Sequence, residues 1–256
     1  MSEMLRIENL GVSFDGLKAL DDITLSVSDD EIFGLLGPNG AGKTTFFNAI
    51  TGFTKPTAGS VHFFGKDVTN LSTTEHCKEG MARTFQNIRV FSQMTVLENV
   101  LVGMHKNLNA NIFQIFLRTA FQKAEERKAI EKAHEILKLL EIDNVANEIA
   151  GSLPYGTQRK VEIARALASE PRMLLLDEPT AGMNPQETDD LMYLIEEIRK
   201  EGPAIVVIEH NIKFMLGLCD HIAVLNFGKL IAFDKPEKVA NDPQVIEAYI
   251  GAEEEE

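Results

Sequence analysis

Short runs of Ile, Leu and Val interrupted by polar residues open the chain and predict strands over 5–10, 23–27 and 31–36. The third run stops at a glycine-rich turn, 37–42, and a helix is expected from Lys43 to about Thr51. Gly52 and Pro56 punctuate the next turn, and 60–64 reads as a further strand. The middle of the chain has helical periodicity. Residues 95–105 read as one helix, and 123–140 as a long amphipathic one with Ala133, Ile136, Leu137 and Leu140 on a single face. Between them lie Asn-rich residues, 107–111, and an aromatic stretch, 112–121. The span 72–155 is expected to form a mainly helical subdomain. From Gly156 onward strand and helix alternate, with helices over 157–169, 185–200 and 211–218 and strands over 173–176 and 204–208. Residues 222–225 and 230–233 pair as a hairpin around Asn226, Phe227 and Gly228. The unbroken apolar run at 173–176 suits a parallel strand buried on both faces. Such alternation implies a parallel sheet covered by helices; no internal repeat is visible.

Bulk properties narrow the partners. The 256 residues, 44% of them hydrophobic, suffice for one large α/β domain or two small ones. A net charge of -14 argues against general nucleic-acid binding, which needs Lys and Arg to displace phosphate counterions. It leaves a local nucleotide site open. Cys77 and Cys219 lack metal or disulfide spacing and read as thiols of a reducing compartment. No apolar run approaches the ~18 residues a bilayer requires, and residues 1–8 lack a secretory pattern. A soluble, cytoplasmic protein is expected, with any membrane role supplied by partners. The acidic end, 252–256, reads as a solvated tail.

Two motifs carry chemistry. The stretch Gly37, Pro38, Asn39, Gly40, Ala41, Gly42, Lys43, Thr44 fits G-x-x-x-x-G-K-[ST] between a strand and a helix. Glycines there let backbone N–H groups wrap phosphate oxygens, and the helix N-terminus adds its positive dipole end. Lys43 can reach the β- and γ-phosphates, and the Thr44 hydroxyl can ligate magnesium. Chance produces this pattern in roughly one such chain in 100. The second motif is the apolar strand at 173–176 ending in Asp177 and Glu178. Taken alone, that pair would cap the following turn. Beside a phosphate loop, Asp177 can hold magnesium and Glu178 can polarise water as general base.

In order, the chain presents the phosphate loop, Gln86, Leu153-Pro-Tyr-Gly-Thr-Gln-Arg-Lys-Val161 followed by Ile163-Ala-Arg-Ala-Leu167, the Asp177–Glu178 strand and His210. This ordered set resembles the ABC transporter ATPases over nearly the whole length. The resemblance implies a single P-loop NTPase domain of ABC type, class α/β, over 1–256. Its core sheet would be mainly parallel, with an antiparallel β subdomain and a helical subdomain. It implies ATP and Mg2+ as ligands, the phosphate loop extending to Thr45. Lys43, Gln86, Glu178 and His210 would be catalytic, and Thr44, Gln86 and Asp177 would hold the metal. Gln86 would also sense the membrane partner, and His210 would contact the γ-phosphate. Phe14 matches the aromatic that stacks on adenine, with Lys18 and Ala19 a weaker part of the same wall; an isolated strand Phe also fits a core.

The family's signature reads Leu-Ser-Gly-Gly-Gln. Here Pro154 stands in place of Ser, Tyr155 in place of Gly and Thr157 in place of Gln, while Gly156 is kept. Proline offers neither hydroxyl nor backbone N–H, so Pro154, Tyr155, Gly156 and Thr157 would give fewer donors to the opposite subunit's ATP. Asn184 stands where many members carry Asp. These features, with Ala82-Arg-Thr-Phe-Gln86, Met94-Thr-Val-Leu-Glu-Asn-Val100, Ala181-Gly-Met-Asn-Pro185, the ending 242–251 and the insertion at 106–122, look like the ATP-binding subunits of branched-chain amino-acid importers. That likeness implies a second, related ATPase subunit (a heterodimer, with a homodimer possible), two transmembrane permease subunits, an indirect solute-binding protein and a position on the inner face of the membrane. Two alternatives stay open: the ATPase of a lipid or lipopolysaccharide export system, and a nucleotide-gated module with weak hydrolysis.

Overall fold

Residues 2–104 and 120–253 are described by a computed structural model. The stretch expected at 106–122 lies outside the described residues up to position 119, as do residues 254–256 of the acidic tail. Ten strands organise the chain: β1 (Glu3–Phe14), β2 (Leu17–Ser28), β3 (Ile32–Leu36), β4 (Ala58–Phe63), β5 (Lys66–Asp67), β6 (Met81–Arg83), β7 (Met173–Asp177), β8 (Ala204–Ile208), β9 (His221–Asn226) and β10 (Lys229–Asp234), counted among the described residues. They form a four-stranded sheet in the order β2-β1-β4-β5 and a six-stranded sheet in the order β10-β9-β3-β8-β7-β6. The first is antiparallel. In the second, β9, β3, β8, β7 and β6 run parallel and β10 closes the edge antiparallel.

Period-two alternation assigns each inner strand to two cores. Ile32 and Leu36, Leu174 and Leu176, Ile205 and Val207 face the helical layer. Phe33 and Leu35, Met173 and Leu175, Val206 and Ile208 face the antiparallel sheet and Phe46, Phe47 and Ile50 of the helix Lys43–Ile50. Both faces are dry, which explains why these strands read as unbroken apolar runs. The helical side holds Val96–Gly103, Ala120–Leu139, Tyr155–Leu167, Pro185–Lys200 and Ile212–Leu218, with Ala133, Ile136, Leu137 and Leu140 buried as their spacing anticipated.

Three local differences have physical reasons. The first hairpin is longer than 5–10 and 23–27 because Asn9 and Asp22 take positive φ (49° and 58°). Asn9 Nδ2 donates to Asp22 Oδ1 at 2.7 Å, so polar bulges interrupt the pattern without ending the strands. Within 72–155 the helix Thr73–Glu79 leads into β6, which pairs with β7 in the core sheet; three residues are too few to show a period. The helix expected from 157 begins at Tyr155, with Pro154 (φ -54°, ψ 151°) as its N-cap.

Candidate functional site

Parallel strands deliver their C-terminal ends to one edge of the sheet, where ligands of such folds bind. Along that edge lie, in spatial order, the Gln86 segment after β6, Asp177 and Glu178 at β7, Glu209 and His210 after β8, the glycine loop after β3, and the turn after β9. Register fixes the neighbours: Asp177 pairs with Ile208, and Leu35 with Ile208 on the other side.

The glycine loop enters the helix Lys43–Ile50 through Gly42, a left-handed N-cap (φ 102°) without a side-chain cap. The first-turn N–H groups are therefore left for a ligand. A Cβ on Gly42 would lie 2.8 Å from the Ala19 carbonyl oxygen, so only glycine lets the loop pass between β2 and the β9–β10 turn. The Gly228 N–H ties that turn to the Ala41 carbonyl at 2.9 Å. Lys43 is buried and turns back on its own loop, donating to the Gly37 and Pro38 carbonyls at 2.6 and 2.9 Å. Desolvation holds its ammonium below the ordinary lysine range, against the opposing pull of Glu178 and Glu209. A buried ammonium satisfied by carbonyls alone, next to uncapped N–H groups, suits a polyphosphate.

Asp177 Oδ2 accepts from Arg83 Nη2 at 2.7 Å, with both side chains nine-tenths buried. Arg83 Nη1 also donates to Asn48 Oδ1 (2.8 Å) and Thr51 Oγ1 (3.3 Å). Glu178 adopts φ 44°, a left-handed conformation rare for a non-glycine residue. Its N–H donates to the Ile208 carbonyl at 2.9 Å, and its Oε2 accepts from Gln86 Nε2 at 2.8 Å. The fully buried Glu209 accepts from the Thr180 N–H (2.8 Å), the Thr180 hydroxyl (2.6 Å) and the His210 N–H (3.1 Å). It thereby sets the backbone that presents His210, whose exposed ring has Nδ1 3.9 Å from Glu178 and 3.7 Å from Glu209. The hydroxyl of Thr44, the amide of Gln86 and the carboxylate of Asp177 are oxygen donors of the kind Mg2+ takes, with phosphate and water oxygens completing the shell. Among the described residues no three His, Cys, Asp or Glu side chains cluster for a metal.

Phe14 ends β1 half exposed, and Thr45 is partly buried in the first turn after the loop. Among the described residues no hydrogen bond or ion pair joins 154–157 to 37–45. The Tyr155 ring instead approaches Gly182, whose added Cβ would lie 3.3 Å from it. Asn184 caps the helix Pro185–Lys200: its Oδ1 accepts from the Glu187 N–H at 3.0 Å and its own N–H donates to Glu187 Oε2 at 2.9 Å. Asn and Asp cap equally well, which accounts for the departure at that position.

Sequence reasoning passed over Arg83, Arg159, Glu162 and Glu209. Arg83 lies within the Ala82–Gln86 stretch that carries the resemblance, and Glu209 sits one residue before His210. Arg159 and Glu162 are a buried pair one turn apart, and nothing in the sequence marks them as buried. Burial pushes the Glu162 carboxyl above its usual range, opposed by Arg159 and by the Arg89 and Phe85 amides. Tyr249, on the C-terminal helix Pro243–Glu253, brings a buried hydroxyl close to the Gly37 backbone.

With this geometry in view, the similarities are specific. The family model described as "ABC transporter" matches residues 20–181, and one described as "Branched-chain amino acid ATP-binding cassette transporter" matches 229–255. The chain is 42% identical over 249 residues to the high-affinity branched-chain amino acid transport ATP-binding protein BraF of Pseudomonas aeruginosa, covering 97% of this chain and 98% of that one. It is 41% identical over 249 residues to LivG of Escherichia coli, a high-affinity branched-chain amino acid transport ATP-binding protein, with the same coverage of 97% and 98%. A crystal structure of the ADP conformation of an ATP-binding cassette of an ABC transporter superposes with a TM-score of 0.86 at 36% identity, covering 98% of this chain and 100% of that one. A nucleotide-free cassette gives 0.83 at 37% identity, covering 96% and 98%.

Proposed function

Since the chain belongs to the ABC transporter ATPase family, we propose that it is one ATPase half of a branched-chain amino-acid importer, working on the cytoplasmic face of the membrane. Its partners in this reading are a second, related ATPase chain and two permease subunits, with a solute-binding protein engaged indirectly. Among the described residues no helix is long and apolar enough to cross a membrane, so transport needs such partners. The solute class rests on the names of BraF and LivG and on the match at 229–255. The same names favour it over the lipid-export alternative.

The observation that carries the mechanism is the contact between Gln86 and Glu178, 2.8 Å apart at the edge that also holds Lys43 and Asp177. Lys43 leaves the Gly37 and Pro38 carbonyls for the phosphates of ATP, and N–H groups of 39–44 line the same oxygens. Thr44, Gln86 and Asp177 would hold Mg2+, which would supply neutralisation of phosphate charge. Glu178 Oε2, once free of the Gln86 amide, would take a proton from water. The left-handed backbone of Glu178 and the ring of His210 hold that carboxylate and the water at the γ-phosphate. Phe14 stacks on the adenine. The 154–157 segment closes the partner's site across the dimer interface, with the uncapped N–H groups of Tyr155, Gly156 and Thr157 as its donors.

The test is Glu178→Gln. Hydrolysis should fall by roughly 100- to 10,000-fold with ATP affinity kept and an ATP-stabilised dimer visible by size exclusion. Retained hydrolysis in the variant would remove Glu178 from the role of base. ATP binding without hydrolysis in the wild type, alone and with its permease partners, would favour the nucleotide-gated module instead.

A further inference from the structure

The helix Tyr155–Leu167 carries a charged pair at its most buried positions: Arg159 is 0% exposed and Glu162 1%. Their ion pair, Arg159 Nη1 to Glu162 Oε2, measures 2.9 Å. Burying two charges is costly unless their remaining donors and acceptors are satisfied. Here the further bonds of both side chains go to one segment. Arg159 Nη1 donates to the Phe85 carbonyl at 2.6 Å and Nη2 to the Gln86 carbonyl at 2.8 Å. Glu162 Oε1 accepts from the Arg89 N–H at 3.2 Å and the Phe85 N–H at 3.4 Å. The Phe85 ring is also flanked by the guanidinium groups of Arg89 (4.5 Å) and Arg83 (5.6 Å). A pair serving only to fill the helix interface would not single out four backbone groups of one loop.

That loop ends in the Gln86 side chain, which bonds Glu178. Bonds therefore run without a gap from the helix, through Arg159, to the Gln86 backbone, its amide and the general base. We infer that Arg159 and Glu162 are positioning residues that make this helix and the 85–89 loop one rigid unit, so that closure of 154–157 on the partner chain's nucleotide moves Gln86 on this chain's own Glu178. The inference rests on the function proposed above. It makes the two ATP sites of the dimer interdependent: each chain's helix serves the opposite nucleotide while steering its own catalytic water.

The decisive variant replaces the pair by apolar residues, Arg159→Met with Glu162→Met, which keeps the buried volume and removes both charges together. Hydrogen exchange at the Phe85 and Arg89 amides should quicken by roughly tenfold while the Tyr155–Leu167 amides stay protected. In ATPase assays kcat should fall by roughly 10- to 100-fold with KM for ATP little changed, and the Hill coefficient should drop toward one. Arg159→Lys keeps the charge but not the fork, and should give the same pattern more weakly, which serves if the double variant does not fold. Unchanged exchange at 85 and 89, or a loss in KM alone with cooperativity intact, overturns the inference. Failure of the proposed function shows separately, as a wild-type chain that binds ATP and never hydrolyses it. In that case the exchange at 85 and 89 still decides the clamp, and unchanged exchange overturns it.

Discussion

Replacing Arg83 with Met isolates what the buried pair of Arg83 and Asp177 contributes to the fold. The wild-type guanidinium sits 2.7 Å from Asp177 Oδ2, each side chain 9% exposed. It is also bonded to Asn48 and Thr51 and stacked near the Phe47 and Phe53 rings, at 5.1 and 5.3 Å. Methionine can keep much of the ring packing and none of the charge. Asp177 would then be a buried carboxylate without its counter-charge, a loss of about 3 to 5 kcal/mol when one partner of a buried pair is removed. For a domain near this size each kcal/mol moves the melting temperature by about 2–4 °C, so a drop of about 6–20 °C is expected by calorimetry. Two further arms test the cause. Asp177→Asn with Arg83→Met should lose much less than the sum of the single changes, with a coupling of ~2 kcal/mol or more. Saturating Mg2+ and ATP should restore the single Arg83→Met variant more than it raises the wild type, because the metal would supply the missing positive charge. At 100 times the wild-type Kd, binding adds about 2.7 kcal/mol to the wild type, so a larger gain in the variant at the same ligand concentration is the signal. A melting temperature within about 2 °C of wild type, with additive double-variant losses, would refute the view that Arg83 is the counter-charge that keeps Asp177 buried.

Three other outcomes follow from the same geometry. Lys43→Met should abolish hydrolysis yet stabilise the nucleotide-free chain by roughly 1 kcal/mol. Because the folded state holds the Lys43 proton less tightly than the unfolded chain, this cost is full at pH below the depressed folded value. It is relieved as pH rises toward the ordinary lysine value of about 10.4, so urea midpoints of the two proteins should converge at alkaline pH. Pro154→Ser should supply the missing N-cap hydroxyl of the helix Tyr155–Leu167, adding about 0.5–1 kcal/mol in urea unfolding, and should raise ATP turnover of the assembled dimer; unchanged turnover would detach 154–157 from the partner's site. Gly103→Ala would place a Cβ 2.2 Å from the Arg165 carbonyl oxygen. Urea unfolding should show a loss of about 2 kcal/mol from forcing apart the helices Val96–Gly103 and Tyr155–Leu167.

Much of this architecture is legible in the amino-acid order because local rules carry it. Buried parallel strands must be apolar on both faces, so 173–176 and 204–208 declared themselves. Gly42 before Lys43 and Thr44 marks a loop that only glycine can pass, and Asp177–Glu178 marks a strand end. The same rules fail where too few residues repeat. β6 is three residues long, and the first hairpin is broken by polar bulges at Asn9 and Asp22. Pro154 and Gly156 disguise a helix start, since neither residue favours a helix interior.

The order of residues by itself thus determined the fold class, the phosphate loop and the identity of the acidic strand end, because each depends on neighbours in sequence. Tertiary structure alone decided which charged and polar groups meet. Arg83 meets Asp177 across 94 positions, Gln86 meets Glu178 across 92, and Arg159 meets the Gln86 carbonyl across 73. A charged side chain in a sequence carries no mark of the dielectric it will occupy. Whether Arg159 is a solvated helix residue or a buried clamp depends on which segment the sheet brings over it, and that is set by strand order.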